Sequence, residues 1–311
     1  MATEVLAQER QGLKERVQAW FSKYEEIIAG YSFLLPTVLS VLIFVAFPVV
    51  FSFYISFHKY DYLSTSRPFV GFDNYILMFR TERFWRTLWN SVRYALGAVP
   101  LNIVVSLALA LLINRKLRGI NVFRAAYFSP VVTSSVAVAM IWGWIFDPGF
   151  GLLNYILRLV GIPPQLWLGD PKLAMWSLIF MAVWNSAGYN MMIFLAGLQG
   201  IDQEYYDAAT VDGANAVQRF RHITLPLLSP TTFFVFITGM IGAIQVFDQI
   251  FILTKGGPAG STRTIVFYLW ERGFGAFDMG YASAVAYLLF AVIFLLTQIN
   301  WRVAGRFVHY Q

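Results

Sequence analysis

The sequence predicts an all-α, polytopic membrane protein with six transmembrane helices, and two observations support this fold class. First, 58% of the 311 residues are hydrophobic, whereas only 13% are charged. Second, six windows of 21 to 31 residues contain no Lys, Arg, Asp or Glu: 27–57, 94–114, 125–146, 173–201, 222–247 and 279–301. A helix needs about 20 apolar residues to cross the hydrocarbon core of a bilayer. Six such windows exclude a soluble globular domain.

The segment before the first span, residues 1–30, is predicted to form an N-terminal amphipathic helix that lies along the membrane surface. Such a helix buries one apolar face in the headgroup region. The alternative is a solvated tail in which the spacing arose by chance. The apolar residues that recur at helical spacing are Leu13, Val17, Trp20, Phe21, Tyr24 and Ile28.

The transmembrane domain is predicted to extend over residues 31–302, and a C-terminal tail follows at 303–311. The first span contains Pro36 and Pro48, which a membrane helix tolerates when neighbouring groups satisfy the freed carbonyls. The polar connection 58–93 is predicted to contain a separate interfacial helix around its arginines and tryptophans. The later spans are predicted at about 94–114, 125–146 and 173–198, from about residue 231, and at 281–301.

The charges predict how the chain is oriented in the membrane. A net charge of +6 is attributed to basic residues at the membrane faces rather than to nucleic-acid binding. Arg115, Lys116, Arg118 and Arg124 form a short basic stretch without an acid between spans two and three. Short cytoplasmic loops are enriched in Lys and Arg, so this stretch favours the cytoplasmic side, but the totals of Lys and Arg on the two faces are nearly equal. The prediction that both termini are cytoplasmic therefore depends on the loop 199–229, described below.

Several residue types that carry chemistry are missing from the sequence. The chain has no cysteine, which excludes disulfides and thiolate metal sites, and its three histidines are not spaced as a metal pair. It contains no Gly-Lys dipeptide and therefore no phosphate-binding loop of the Gly-x4-Gly-Lys type. The chain is accordingly predicted not to be an enzyme, with no catalytic residue, metal site or cofactor of its own.

The loop 199–229, between spans four and five, is the most unusual stretch. Its acidic start complements the dipole of a first helix, which Gly213 is predicted to break. A second short helix is predicted to end at Pro226. Two short helices with a small-residue face at Ala208 and Ala209 form a knob that can fit a groove in a partner. A well-structured loop without a partner is the alternative.

The order of residues in this loop resembles the EAA motif of ABC importer permeases. Asp207 stands where that family usually has Glu, so the acid is kept with one methylene fewer. In the family this cytoplasmic loop docks into a cleft of the ATP-binding subunit. The resemblance therefore implies that nine residues couple this chain to an ATPase: Glu204, Asp207, Ala208, Ala209, Asp212, Gly213, Ile223, Leu225 and Pro226.

Three further stretches, 69–75, 253–258 and 280–284, resemble permeases of the maltose/glycerol-phosphate type, so that the likeness covers about residues 30–302. It implies the ABC type I importer permease fold in the inner (plasma) membrane of a prokaryote. It also implies a second homologous permease subunit, two ABC ATPase subunits and an extracytoplasmic substrate-binding protein as partners. ATP and Mg would then be bound by the ATPase rather than by this chain.

Two polar clusters interrupt the apolar windows, one in span four and one late in span five. Polar groups inside a membrane are costly unless they line a path or meet a partner. Aromatic rings stack on sugar faces, and amides bind hydroxyl groups. In the resembled maltose permease the sugar is contacted from equivalent regions; hydrogen bonding between helices is the alternative. The candidate substrate-path residues are Trp184, Asn185, Ser186, Tyr189, Gln245 and Asp248.

Together these features predict the permease subunit of an ATP-driven, binding-protein-dependent ABC importer for a neutral sugar or oligosaccharide. A glycerol-phosphate or polyol-derivative importer is the alternative, which the absence of cations from the six windows disfavours. A self-sufficient secondary transporter is less favoured still, because it needs intramembrane charges to couple an ion. The windows contain none, and only Asp248 stands at the edge of one.

Overall fold

The computed structural model describes residues 24, 26–27, 29–114 and 119–307. In this part of the chain all regular elements are helical, apart from two isolated β-bridges, so the all-α fold class is confirmed. Most of the predicted N-terminal amphipathic helix lies outside the described residues. The same is true of Arg115, Lys116 and Arg118, and of residues 308–311.

The helices of the described residues are numbered here in chain order. They are α1 (Ala29–Ser56), α2 (Asp73–Arg80), α3 (Glu82–Ile113), α4 (Ile120–Val132), α5 (Ser135–Ile145), α6 (Leu152–Leu159), α7 (Ala174–Gln199), α8 (Gln203–Val211), α9 (Ala216–Arg219), α10 (Leu225–Leu227), α11 (Ser229–Ile244), α12 (Asp248–Leu253), α13 (Ile265–Trp270) and α14 (Met279–Phe307).

Six spans can be assigned by length and hydropathy. Five are single segments: α1, α3, α7, the consecutive helices α11 and α12, and the part of α14 that ends at Asn300. The sixth consists of α4 and α5, which are bent by 101° relative to each other. The six predicted spans correspond to these segments. Helix α14 continues to Phe307 and so includes the first part of the predicted C-terminal tail.

Span two begins earlier than predicted, since the helix predicted around Trp85 and Trp89 is the first part of α3. Helix α3 runs without a break from Glu82 and therefore includes both tryptophans. The uncharged window marks only the part of a helix that suits hydrocarbon, whereas the helix itself can continue through the interface. Neither Gly nor Pro stands between Glu82 and Leu96 to stop it.

Spans three and five are both broken. The first break lies at Thr133 and Ser134, whose backbones are extended. The second separates α11 from α12 at residues 245–247. The Ser135 hydroxyl donates a hydrogen bond of 2.6 Å to the Asp248 carboxylate, so the first residues of α5 and α12 are tied together.

Two prolines are accommodated by widened helical turns. A π-type turn at Leu42–Ala46 ends two residues before Pro48, and another at Phe220–Thr224 ends two residues before Pro226. A proline ring clashes with the carbonyl four residues earlier, and a turn closed over five residues moves that carbonyl aside. Pro226 therefore does not end the second helix of the 199–229 loop, contrary to the prediction. The helical backbone continues through α10 toward α11.

The core of residues 56–307 lies where α3 packs along α7. Tyr94 and Ala95 of α3 and Leu178 and Ile179 of α7 are fully buried in this interface. On another side of α7, Gly188 allows α4 to approach closely. A Cβ at Gly188 would collide with the Tyr127 carbonyl oxygen. The polar middle of α7 is thus held between two neighbouring helices.

Candidate functional site: a coupling segment and a polar cavity

The first candidate site is the coupling segment, defined as residues 202–226. Asp202 caps α8 by accepting a hydrogen bond from the Glu204 backbone N–H at 3.1 Å. The Asp207 carboxylate accepts from the Gln203 amide at 3.1 Å. The side chains of Glu204, Asp207 and Ala208 are exposed. An acidic helix start therefore faces outward, as a docking surface requires.

The turn after α8 is built from short-range hydrogen bonds. Gly213 adopts φ +76°, a left-handed conformation that side chains rarely allow. The Asn215 side chain and the Gln218 side chain each accept from the other's backbone N–H, at 2.9 and 2.8 Å, which forms a capping box at the start of α9. The Arg219 guanidinium donates a hydrogen bond of 2.9 Å to the Thr210 hydroxyl in α8. The two helices are consequently held as one unit.

One side of the coupling segment is anchored to the membrane helices. The Tyr206 hydroxyl lies 3.0 Å from the Thr224 hydroxyl, and Thr224 is buried. Tyr206 and Ile223 pack against a buried cluster that includes Leu198 and Leu228. Ile223, a predicted coupling residue, therefore faces this cluster. Of the other predicted coupling residues, Asp212, Gly213 and Leu225 are exposed, and Ala209 and Pro226 are half-buried.

The second candidate site is a cavity of about 310 Å³ between α3, α7, α11 and α12. It lies near the middle of α3 and α7, and small or apolar residues form much of its wall. No Lys, Arg, Asp or Glu is among the residues that line it. Its polar lining residues are Tyr94, Asn102, Asn185, Ser186, Tyr189, Asn190, Thr238 and Gln249.

Three of the six predicted substrate-path residues lie together in this cavity: Asn185, Ser186 and Tyr189. Trp184 lies on another face of α7, where its ring meets that of Trp142 edge to face at 5.5 Å. Gln245 is exposed at the break after α11 and does not line the cavity. Asp248 also lies outside the cavity lining and is bonded to Ser135, as described above.

The predicted substrate-path residues omit five polar residues of the cavity: Tyr94, Asn102, Asn190, Thr238 and Gln249. Of these residues, Asn102 could most readily have been found from the sequence, because it is an amide in the middle of a largely apolar window. Gln249 stands four residues after the predicted Gln245, and the helix break between them decides which glutamine reaches the cavity.

Two oxygen atoms in the cavity wall lack a protein partner. Asn185 Oδ1 and Gln249 Oε1 are buried, and neither accepts a hydrogen bond within the described residues. Ser186, by contrast, already has two hydrogen-bond partners. Its hydroxyl donates a hydrogen bond of 2.7 Å to the Ala182 carbonyl and accepts one of 2.7 Å from Asn102. A buried acceptor without a donor costs free energy. Neither oxygen has accessible surface, so the two amides could offer these acceptors to a ligand only after rotating toward the cavity.

Residues 95–304 match the family described as "Binding-protein-dependent transport system inner membrane component". A probable ABC transporter permease, YesP of Bacillus subtilis (strain 168), is 39% identical over 91% of this chain and 93% of its own length. The trehalose/maltose transport system permease MalF of Thermococcus litoralis is 36% identical over 92% of this chain and 96% of its own.

The fold is also similar to that of a solved membrane transporter. A chain of a bacterial ABC transporter involved in the import of the acidic polysaccharide alginate superposes with a TM-score of 0.82. The match covers 93% of this chain and 99% of that chain, at 23% sequence identity. This likeness concerns the fold alone.

Proposed function

We propose that this chain, which belongs to the family of binding-protein-dependent transport system inner membrane components, is the permease subunit of an ATP-driven ABC importer that carries a neutral sugar or oligosaccharide. A second homologous permease, two ABC ATPase subunits and an extracytoplasmic substrate-binding protein complete the transporter. ATP and Mg are bound by the ATPases, and the chain itself catalyses no reaction. Both termini face the cytoplasm of a prokaryote, and the spans cross its inner membrane.

The uncharged polar cavity is the observation that carries the assignment of the cargo. The amides of Asn185 and Gln249 line the cavity and can exchange hydrogen bonds with the hydroxyl groups of a sugar. The half-exposed Tyr189 adds an aromatic ring that can stack on the apolar face of a sugar. A phosphate or carboxylate would meet no cation among the lining residues.

The second part of the proposal concerns how movement of an ATPase reaches this cavity. The coupling segment docks on the ATPase through its exposed acidic start and small-residue face. Its second half leads through α10 directly toward α11, whose Val235, Thr238 and Gly239 line the cavity. A displacement of the segment therefore shifts one wall of the cavity, and the spans alternate between inward-facing and outward-facing states.

Uptake into lipid vesicles tests both parts. The purified chain would be assembled with its permease, ATPase and binding-protein partners, and labelled maltose, trehalose and glycerol 3-phosphate offered in parallel. We expect ATP-dependent accumulation of a neutral sugar and none in vesicles without ATP. Accumulation of glycerol 3-phosphate alone would overturn the cargo assignment. Transport by the isolated chain without an ATPase would overturn the importer assignment.

The runner-up cargo is a glycerol phosphate or another polyol derivative. Such an anion needs a cation or several N–H donors at its binding site. The only side-chain N–H donors of the cavity wall belong to amides, and those of Asn102 are used within the protein. The amides of Asn185 and Gln249 remain as neutral N–H donors, but no cation lines the cavity, so a neutral cargo is the better match.

A further inference from the structure

Asn102 is a buried amide in the middle of α3, with 6% of its surface exposed. Its Nδ2 donates to the Ser186 hydroxyl at 2.7 Å and to the Val183 carbonyl at 3.4 Å. Its Oδ1 accepts from the Ser106 hydroxyl at 3.1 Å and from Asn190 Nδ2 at 2.5 Å. A primary amide has two donor hydrogens and two acceptor lone pairs. All four are used here, so Asn102 has no group left for a ligand.

Three of these four partners, Val183, Ser186 and Asn190, belong to α7, and all three line the cavity. Ser186 and Asn190 are the two with polar side chains, whereas Ser106 belongs to α3 and does not line the cavity. Because Asn190 donates one amide hydrogen to Asn102, the orientation of its amide plane is fixed. A polar wall that is fixed before binding loses less conformational entropy when a ligand arrives.

We propose that Asn102 is a positioning residue for the cargo: it holds Ser186 and Asn190 in place on the cavity wall without contacting the cargo itself. The inference rests on the proposed function, because it requires the cavity to hold the cargo. It differs from a purely structural role, in which Asn102 would only join α3 to α7 and any loss of hydrogen bonding would affect stability alone.

The chain contains no cysteine, so a single introduced thiol can report on the cavity. Thr238→Cys places this thiol on α11, in the wall that α11 contributes. The assembled complex would be alkylated with a maleimide at increasing concentrations of maltose or trehalose. The concentration that gives half-maximal protection measures occupancy of the cavity without passing through the binding protein.

Asn102→Leu in the Thr238→Cys background should raise the half-protecting sugar concentration about tenfold, the usual effect of losing a positioned hydrogen bond. The matched control is Ser106→Ala, which removes a hydrogen bond to the same oxygen from a residue outside the cavity wall. This control should change the half-protecting concentration less than about twofold. If Asn102→Leu lowers the yield of complex, Asn102→Ala replaces it, because that variant removes the amide without adding bulk or charge.

A second reporter needs no sugar. In a Ser186→Cys chain, Asn102→Leu should speed alkylation of the new thiol several-fold, because the thiol loses the partner that holds it, and Ser106→Ala should not. Equal effects of Asn102→Leu and Ser106→Ala in both assays would overturn the positioning role. If Asn102→Leu speeds alkylation of Ser186→Cys while no sugar protects Thr238→Cys, that result would support the positioning of Ser186 and refute the proposed cargo. Failure of the positioning role and failure of the proposed function therefore give different results.

Discussion

The coupling segment and the polar cavity are built in opposite ways. In the coupling segment, hydrogen bonds join residues close together in the sequence, as between Asn215 and Gln218, and most side chains are exposed. In the cavity, the decisive hydrogen bonds join residues more than 80 positions apart, as between Asn102 and Ser186. The segment can therefore keep its shape while it is moved as a body. The cavity has a shape only because two helices stay in register.

This difference predicts where single substitutions act. A change in the coupling segment should disturb the contact with a partner and leave the membrane helices folded. A change in the cavity should alter what is bound and leave coupling to ATP intact. The following variants test that separation, from the largest expected effect to the smallest.

Gly213→Trp should abolish uptake while leaving membrane insertion intact. The substitution forces a bulky side chain into a left-handed backbone, at a cost of about 1–2 kcal/mol, and places it on the docking surface. Gly161→Trp is the matched control, because Gly161 has the same φ of +76° and a Cβ at either glycine would meet no other atom within 4 Å. The two variants are compared by measuring sugar uptake by the assembled complex. Equal loss of uptake at Gly161 would show that backbone strain, and not docking, is responsible.

Gln249→Leu should weaken protection of the cavity by a neutral sugar about tenfold, because it removes a hydrogen-bonding amide from the cavity wall. Gln245→Leu is the control, since Gln245 is exposed outside the cavity. The two variants show whether Gln245, which the sequence analysis selected, or Gln249, which lines the cavity in the structure, contributes to sugar binding. The measurement is protection of Thr238→Cys from alkylation by the sugar. A larger loss of protection in Gln245→Leu than in Gln249→Leu would contradict the assignment of the cavity.

Tyr206→Phe should increase the ATP hydrolysed per sugar imported about two- to threefold, because it removes the hydroxyl contact with Thr224 that anchors the coupling segment. The expected effect is small, since the ring still packs in its apolar cluster. Tyr205→Phe is the matched control, because this neighbouring tyrosine is exposed on the same helix. An unchanged ratio of hydrolysis to uptake in Tyr206→Phe would show that the hydroxyl contact does not transmit movement.

The sequence was informative where structure is local. An acidic helix start and a glycine at the turn located the two short helices of the coupling segment. For the cavity, the sequence indicated the helix α7 but not which of its faces lines the cavity. Helical geometry puts Trp184 and Asn185 on different faces of α7, but which face meets α3 depends on contacts distant in sequence.

Two misses have the same physical origin. A single amide such as Asn102 in an apolar window does not reveal whether it faces lipid, a helix or a cavity. The widened turn before Pro226 depends on backbone geometry that no residue type specifies, so the helix was predicted to stop there. Both features are decided by tertiary packing.

The two broken spans have a consequence for water. Each break leaves backbone N–H and C=O groups without helical partners, and such groups are tolerated at membrane depth only beside protein or water. The breaks of spans three and five lie together, tied by Ser135 and Asp248. We therefore expect water to reach the two spans at this point. A hydroxylated cargo would exchange its water shell stepwise for protein groups and would never have to enter a dry, oil-like barrier.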